Sequence, residues 1–148
     1  MDRIDVKMLG LLQQDARMTI SELSKQLTLS RPSVTERLHR LQEKGIIEGF
    51  TAVVSPAAVG RSILLMIQIS DLKVSAGEWE KMIALEQDVI ECHRVTGEIG
   101  YIIKAAVDGM EGLRQLVDRL MVYSYVNTSV VLTSPVQRRH VLPVDVED

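Results

Sequence analysis

Apolar residues recur at helical spacing through the first third of the chain, then alternate with polar ones at strand spacing. Ile4, Met8, Leu11 and Leu12 fall on one helical stripe, with Asp2 placed as its N-cap, and the pattern stops near Asp15. Thr19-Ile20-Ser21-Glu22 has capping-box form, a hydroxyl followed three residues on by a carboxylate, and opens a short helix toward Leu27. Thr28-Leu29 reads as a turn. Ser30 caps a third helix whose first turn holds Pro32, where a missing N–H costs nothing. Val34, Leu38 and Leu41 form its buried stripe, and Gly45 ends it.

Residues 46–54 are rich in β-branched side chains around Gly49 and predict a two-stranded wing or a single strand leading out. Ser55-Pro56-Ala57-Ala58-Val59-Gly60 is a turn or short helical linker. The period then changes. Strands are predicted over 62–70, 89–95, 101–107 and 126–132. Helices are predicted from the Ser75-Ala76-Gly77-Glu78 capping box toward Leu85, and over 110–123 with Leu113, Leu116, Val117 and Leu120 inward. Residues 136–144 are a tail and candidate edge strand. The order βαββαβ is the ferredoxin-like arrangement, so the class is α+β. The predicted division is a DNA-binding domain over 1–54, a linker over 55–61, the ferredoxin-like domain over 62–134 and the tail over 135–148. Two helices cover only one face of a four-stranded sheet. In the first strand the other face still carries Leu64 and Met66, a partly apolar surface that suggests a partner.

On a helical wheel the third helix turns Ser33, Glu36, His39 and Arg40 away from its buried stripe, with Arg31 at the N-terminus and Arg37 on the flank. Two helices joined by a short turn, the second one basic, point to a helix-turn-helix that enters the major groove of duplex DNA. Such helices read bases near their N-terminus. Arg31, Ser33 and Glu36 are therefore candidates for base edges, and Arg37, His39, Arg40 and Lys44 for the phosphate backbone. Ser30 and Thr35 complete the DNA-facing set.

The net charge of −3 looks wrong for such a role, but its distribution does not. Residues 17–44 carry six bases against three acids, whereas 51–148 carry nine against thirteen. The basic head is oriented toward phosphates and the acidic body away from them. No apolar run approaches the ~20 residues of a membrane span, and the charged start Met1-Asp2-Arg3-Ile4-Asp5 is unlike a signal peptide, so a cytoplasmic location is expected. Cys92 is the only cysteine and lies beside His93, on the opposite strand face, so no disulfide framework and no metal site are expected. His93 and Glu91 share a face but lack a third group, so neither an enzyme nor a cofactor is predicted. Five aromatics, with no sheet motif for stacking bases, argue against an RNA-binding module.

Several stretches resemble the leucine-responsive regulator/AsnC family, the feast/famine regulators. They are Leu9-Gly10-Leu11-Leu12-Gln13-Gln14-Asp15-Ala16-Arg17, Ile20-Ser21-Glu22-Leu23 and Leu29-Ser30-Arg31-Pro32-Ser33-Val34-Thr35-Glu36-Arg37-Leu38. The likeness continues through Leu41-Gln42-Glu43-Lys44-Gly45-Ile46-Ile47, Phe50-Thr51-Ala52 and the linker, and returns at Glu91-Cys92-His93-Arg94-Val95-Thr96-Gly97. The resemblance implies a winged helix-turn-helix followed by a ligand-sensing, RAM/ACT-like ferredoxin domain. It further implies a homodimer built through the sensing domain, assembly into octamers, and a free amino acid bound between dimers. The implied effector residues are Thr96, Gly97, Glu98, Ile99, Gly100 and Tyr101 of the turn after the second strand, with Thr128 and Ser129 of the fourth. The family's usual turn is Gly-(Asp/Glu)-x-Asp-Tyr; here Gly100 replaces the acid before the tyrosine, a natural partner for an α-ammonium group. Glu98 as its substitute, a different ligand, or none are the open alternatives, and backbone N–H groups near Gly97 and Gly100 are candidate carboxylate donors. The expected function is a sequence-specific DNA-binding transcription regulator. The alternative is an architectural DNA-wrapping protein without an effector.

Overall fold

The structure, a computed structural model, describes residues 1–144. The chain divides into two compact units, Met1–Val53 together with the tail from Val136, and Val54–Pro135.

The first unit holds α1 (Arg3–Gln14), α2 (Ile20–Leu27) and α3 (Arg31–Glu43). Each start is chemically specified. Asp2 and Asp5 form a capping box on α1, Thr19 and Glu22 another on α2, and Ser30 accepts the Ser33 N–H on α3. Met8, Leu9, Leu12, Leu23, Leu27, Val34 and Leu41 make a dry core beneath the three helices. The turn between α2 and α3 is locked by the Ser24 hydroxyl, which donates to the Leu29 carbonyl at 2.5 Å. Thr28 sits in this turn in the left-handed region, at φ 56° and ψ 44°. A β-branched residue is strained there. Thr28→Asn is expected to raise the stability of the unit by about 1 kcal/mol. Chemical denaturation checks it, and an unchanged midpoint would show that the turn carries no such strain.

Gly45 takes φ +66° after α3, and the Ile46 and Ile47 N–H groups both return to the Leu41 carbonyl at 2.9 and 3.1 Å. Beyond that cap the expected wing does not form. Residues 46–54 contain no strand, and Phe50, Val53 and Val54 are exposed. β-branched composition favours a strand only where a neighbouring strand completes the ladder; none within the unit does so. The tail likewise adds no edge strand over 136–144. It belongs to the first unit instead. The Gln13 side-chain amide donates to the Val141 carbonyl and accepts the Val141 N–H, both at 2.9 Å.

The second unit begins after a single 3-10 turn (Ala57–Val59) with β1 (Ile63–Ser70), then α4 (Ala76–Ile83), β2 (Val89–Arg94), β3 (Tyr101–Val107), α5 (Met110–Met121) and β4 (Tyr125–Val130). The sheet is antiparallel in the order β2-β3-β1-β4, which is the expected α+β, ferredoxin-like arrangement. Leu65, Ile67 and Ile69 alternate inward and meet Trp79 and Ile83 of α4, Leu116 and Leu120 of α5, and Tyr101 and Ile103 of β3. The outward set differs. Met66 stands between Lys104 and Ser129, and Gln68 between Ile102 and Asn127. An ion network fastens the base of the sheet. Arg61 reaches Asp88 at 2.7 Å and the Ala106 carbonyl at 2.8 Å, while Arg119 reaches Glu86 and Asp88, each at 2.8 Å.

Candidate functional site

Two regions concentrate the predicted site residues, and they fare differently. On α3 the capping hydroxyl of Ser30 is committed to the Ser33 N–H at 3.3 Å, and Thr35 donates its hydroxyl to the Arg31 carbonyl at 3.0 Å. These bonds fix the first turn and leave the Arg31 and Glu36 side chains exposed. Arg31, Glu36 and Lys44 carry no side-chain hydrogen bond or ion pair among the described residues. His39 lies 3.4 Å from Glu43, one turn on. Ser33 is half-buried at the edge of the same face. The face therefore presents two free cations, an acceptor and an imidazole on an element of major-groove width.

Arg37 and Arg40 behave otherwise. Arg37 donates to Asp2 at 2.6 Å and to Asp5 at 2.7 Å, and its side chain is 21% exposed. Arg40 meets both carboxylate oxygens of buried Asp5 at 3.2 Å with one nitrogen, and is 41% exposed. The two hydrogen bonds from Asp2 and Asp5 raise the Arg37 pKa still further. These acids were seen in the sequence only as a cap. The missed signal was spacing: Asp2 and Asp5, and Arg37 and Arg40, are each three apart, so each pair presents one helical face of a single sign.

The predicted effector residues do not converge within one chain. The 96–100 turn closes with the Val95 N–H on the Gly100 carbonyl at 3.0 Å, and Gly97 takes φ +104°. The Gly100 N–H donates to the Ile69 carbonyl at 2.8 Å, so it is not free for a carboxylate ligand as the sequence suggested. Tyr101 points the other way, into the core beneath the helices. Its hydroxyl donates to Glu80 at 2.8 Å and its ring centroid is 5.9 Å from that of Trp79. Burial, followed by the Glu80 hydrogen bond, raises its pKa. Thr128 and Ser129 are strand neighbours and face opposite sides. Thr128, opposite Ile67, buries its hydroxyl without a partner; Ser129 faces out opposite Met66. β1 lies between β4 and the strand that carries Tyr101. Thr96, Gly97 and Glu98 are exposed, and Ile99 is half-buried. A Cβ built at Gly100 would sit 3.5 Å from the Ile69 carbonyl, ordinary contact, so an acid would fit there.

Cys92 packs beneath the sheet opposite Ile103, and burial raises its thiol pKa. His93 projects to the other face, 3.5 Å from Glu91. No cluster of three or more His, Cys, Asp or Glu able to hold a metal occurs among the described residues, and no described helix is long and apolar enough to cross a membrane.

Comparison with known proteins agrees with this division. Residues 1–42 match the AsnC-type helix-turn-helix domain, and residues 63–141 the Lrp/AsnC ligand binding domain. A leucine-responsive regulatory protein of Salmonella typhimurium is 35% identical over 119 residues, covering 78% of this chain and 73% of that protein. The HTH-type transcriptional regulator FL11 of Pyrococcus furiosus is 34% identical over 121 residues, covering 80% of this chain and 78% of that one. A transcriptional regulator of Neisseria meningitidis, solved as its L-Met complex, superposes with a TM-score of 0.87 at 26% identity, covering 98% of this chain and 97% of that one. A capped helix-turn-helix with an open polar face, followed by a ferredoxin-like sheet and matched in both halves, settles the assignment: the chain belongs to the Lrp/AsnC family of transcriptional regulators.

Proposed function

We propose that the chain acts in the cytoplasm as a homodimer, assembling further into an octamer, that lays paired α3 helices into successive major grooves of duplex DNA. The observation that carries this reading is the exposed α3 face, whose first turn is pinned by Ser30 and Thr35 while Arg31 and Glu36 stay free. Arg31, Ser33 and Glu36 take base edges; His39, Arg40 and Lys44 take phosphates. The two-fold partner covers the open sheet face around Leu64 and Met66, where apolar area stands uncovered beside Lys104. The chain carries no catalytic role.

The effector is a free amino acid held at the 96–101 turn, between dimers. The ligand-binding domain match and the L-Met complex of the Neisseria regulator support this. Since the turn does not meet Thr128 or Ser129 in one chain, the site is completed by another copy. Glu98, exposed in the turn, takes the ammonium group in place of the acid that Gly100 lacks.

The test is a gel-shift with the duplex upstream of the chain's own coding region, followed by thermal shift against the twenty amino acids. Binding that weakens steeply with salt is expected, together with stabilisation by one or a few amino acids. No shift at low salt would overturn the DNA reading. A flat thermal response would overturn the effector and leave a purely architectural DNA-wrapping role.

A further inference from the structure

We propose that Asp5 is a positioning residue for DNA binding: it holds Arg40 out toward the phosphate backbone and, with Asp2, keeps Arg37 off it. The inference rests on the docking of α3 on DNA and adds a division of labour among its cations.

Arg37 has no capacity to spare. One of its nitrogens serves Asp2 at 2.6 Å and Asp5 at 2.7 Å, and its side chain is mostly covered. Moving it onto a phosphate would abandon buried Asp5. Arg40 spends a single nitrogen, Nη2, on the two oxygens of Asp5, both at 3.2 Å. Its Nε and Nη1 have no partner among the described residues, and the side chain is about twice as exposed as that of Arg37. A long flexible cation is thereby fixed at one end with its remaining donors facing water. An anchored guanidinium loses less rotamer freedom when it meets a phosphate. Asp5 can hold it steadily because it is itself buried in the N-terminal turn of α1 and tied into the capping box with Asp2.

Affinity measured across salt concentrations, by anisotropy on the full chain with a labelled duplex, separates these roles. Removing one phosphate partner from each head lowers the slope of log K on log salt by about 0.9. R40Q is expected to lower it by that amount and R37Q to leave it unchanged. D5N keeps the shape and the cap; it is expected to lower the slope in the native background and to do nothing further on top of R40Q. A loss of stability alone would not move the slope of the folded protein in this coupled way. Equal slope losses in R37Q and R40Q, or D5N and R40Q effects that simply add, would overturn the proposal. Should D5N fail to fold, the R37Q and R40Q pair decides. Wild-type protein that binds no duplex at low salt would instead overturn the DNA reading on which the proposal rests.

Discussion

Asp5→Ala is expected to destabilise the N-terminal unit by about 3 kcal/mol, the low end for breaking a buried ion pair. Asp5 is buried, and it receives Arg37 at 2.7 Å and Arg40 at 3.2 Å. Alanine would leave two guanidiniums facing only Asp2, whose side chain is 46% exposed. The figure stays low because both arginines keep some access to water. Asp2→Ala is the comparison. It removes an N-cap worth about 1 kcal/mol and a solvent-screened pair worth little more. Acid should reach the same cluster. The Asp5 backbone N–H, and then Arg37, hold the Asp2 carboxyl below its ordinary value of 3.8. Its contribution is therefore complete above that value and is lost as the pH falls through the lowered one. Trp79 lies in the other unit, so its fluorescence reports that unit, while helical circular dichroism weights α1 to α3. The expected result is an Asp5→Ala dichroism midpoint well below that of the native chain, with Asp2→Ala between them. An Asp5→Ala midpoint equal to the native one would defeat the idea.

The parts of the fold that sequence showed are those fixed by local chemistry. Three capping boxes, at Asp2, Thr19 and Ser75, mark helix starts because a side chain and a backbone N–H three residues apart must meet. The alternation through Ile63 to Ile69 marks β1 because successive side chains must point to opposite faces. The wing and the tail failed for one shared reason. β-branched residues promise a strand, yet whether a strand forms depends on a neighbour that no local window contains. The tail's true anchor, Gln13, lies 128 positions away.

The candidate site was legible in the same uneven way. The exposed face of α3 followed from helical period alone, and Arg31 and Glu36 stand where that period puts them. Arg37 and Arg40 did not, because a wheel places a side chain by angle and cannot see an acid arriving from another helix. In the sensing domain the resemblance supplied residues whose placement it could not supply. Tyr101 is turned inward by the same alternation that buries Ile103, and Thr128 and Ser129 are parted by the pleat. Both facts could have been read from strand period, had it been applied to the borrowed site as strictly as to the core.

That period also governs the second large effect, expected at Met66. It points outward from β1, 40% exposed, beside Lys104 on β3, with Leu64 next on the same face. Met66→Arg should leave the folded chain intact, since it adds a charge to an already exposed position. In the proposed dimer it would bury a second cation next to Lys104 and repeat the clash across the two-fold axis, with no acid beyond Glu91 to compensate; Glu91 already binds Lys104 at 2.9 Å. The chain should then run as a monomer by sedimentation. Its DNA affinity should fall on the order of 100-fold or more, because two tethered heads gain that much over one by effective concentration. The salt slope should fall with it, since a single head neutralises half as many phosphates. A variant that sediments with the native assembly would place the dimer interface elsewhere. One that is monomeric yet binds as tightly as before would mean that a single α3 suffices, which its two free cations and half-committed Arg40 give little reason to expect.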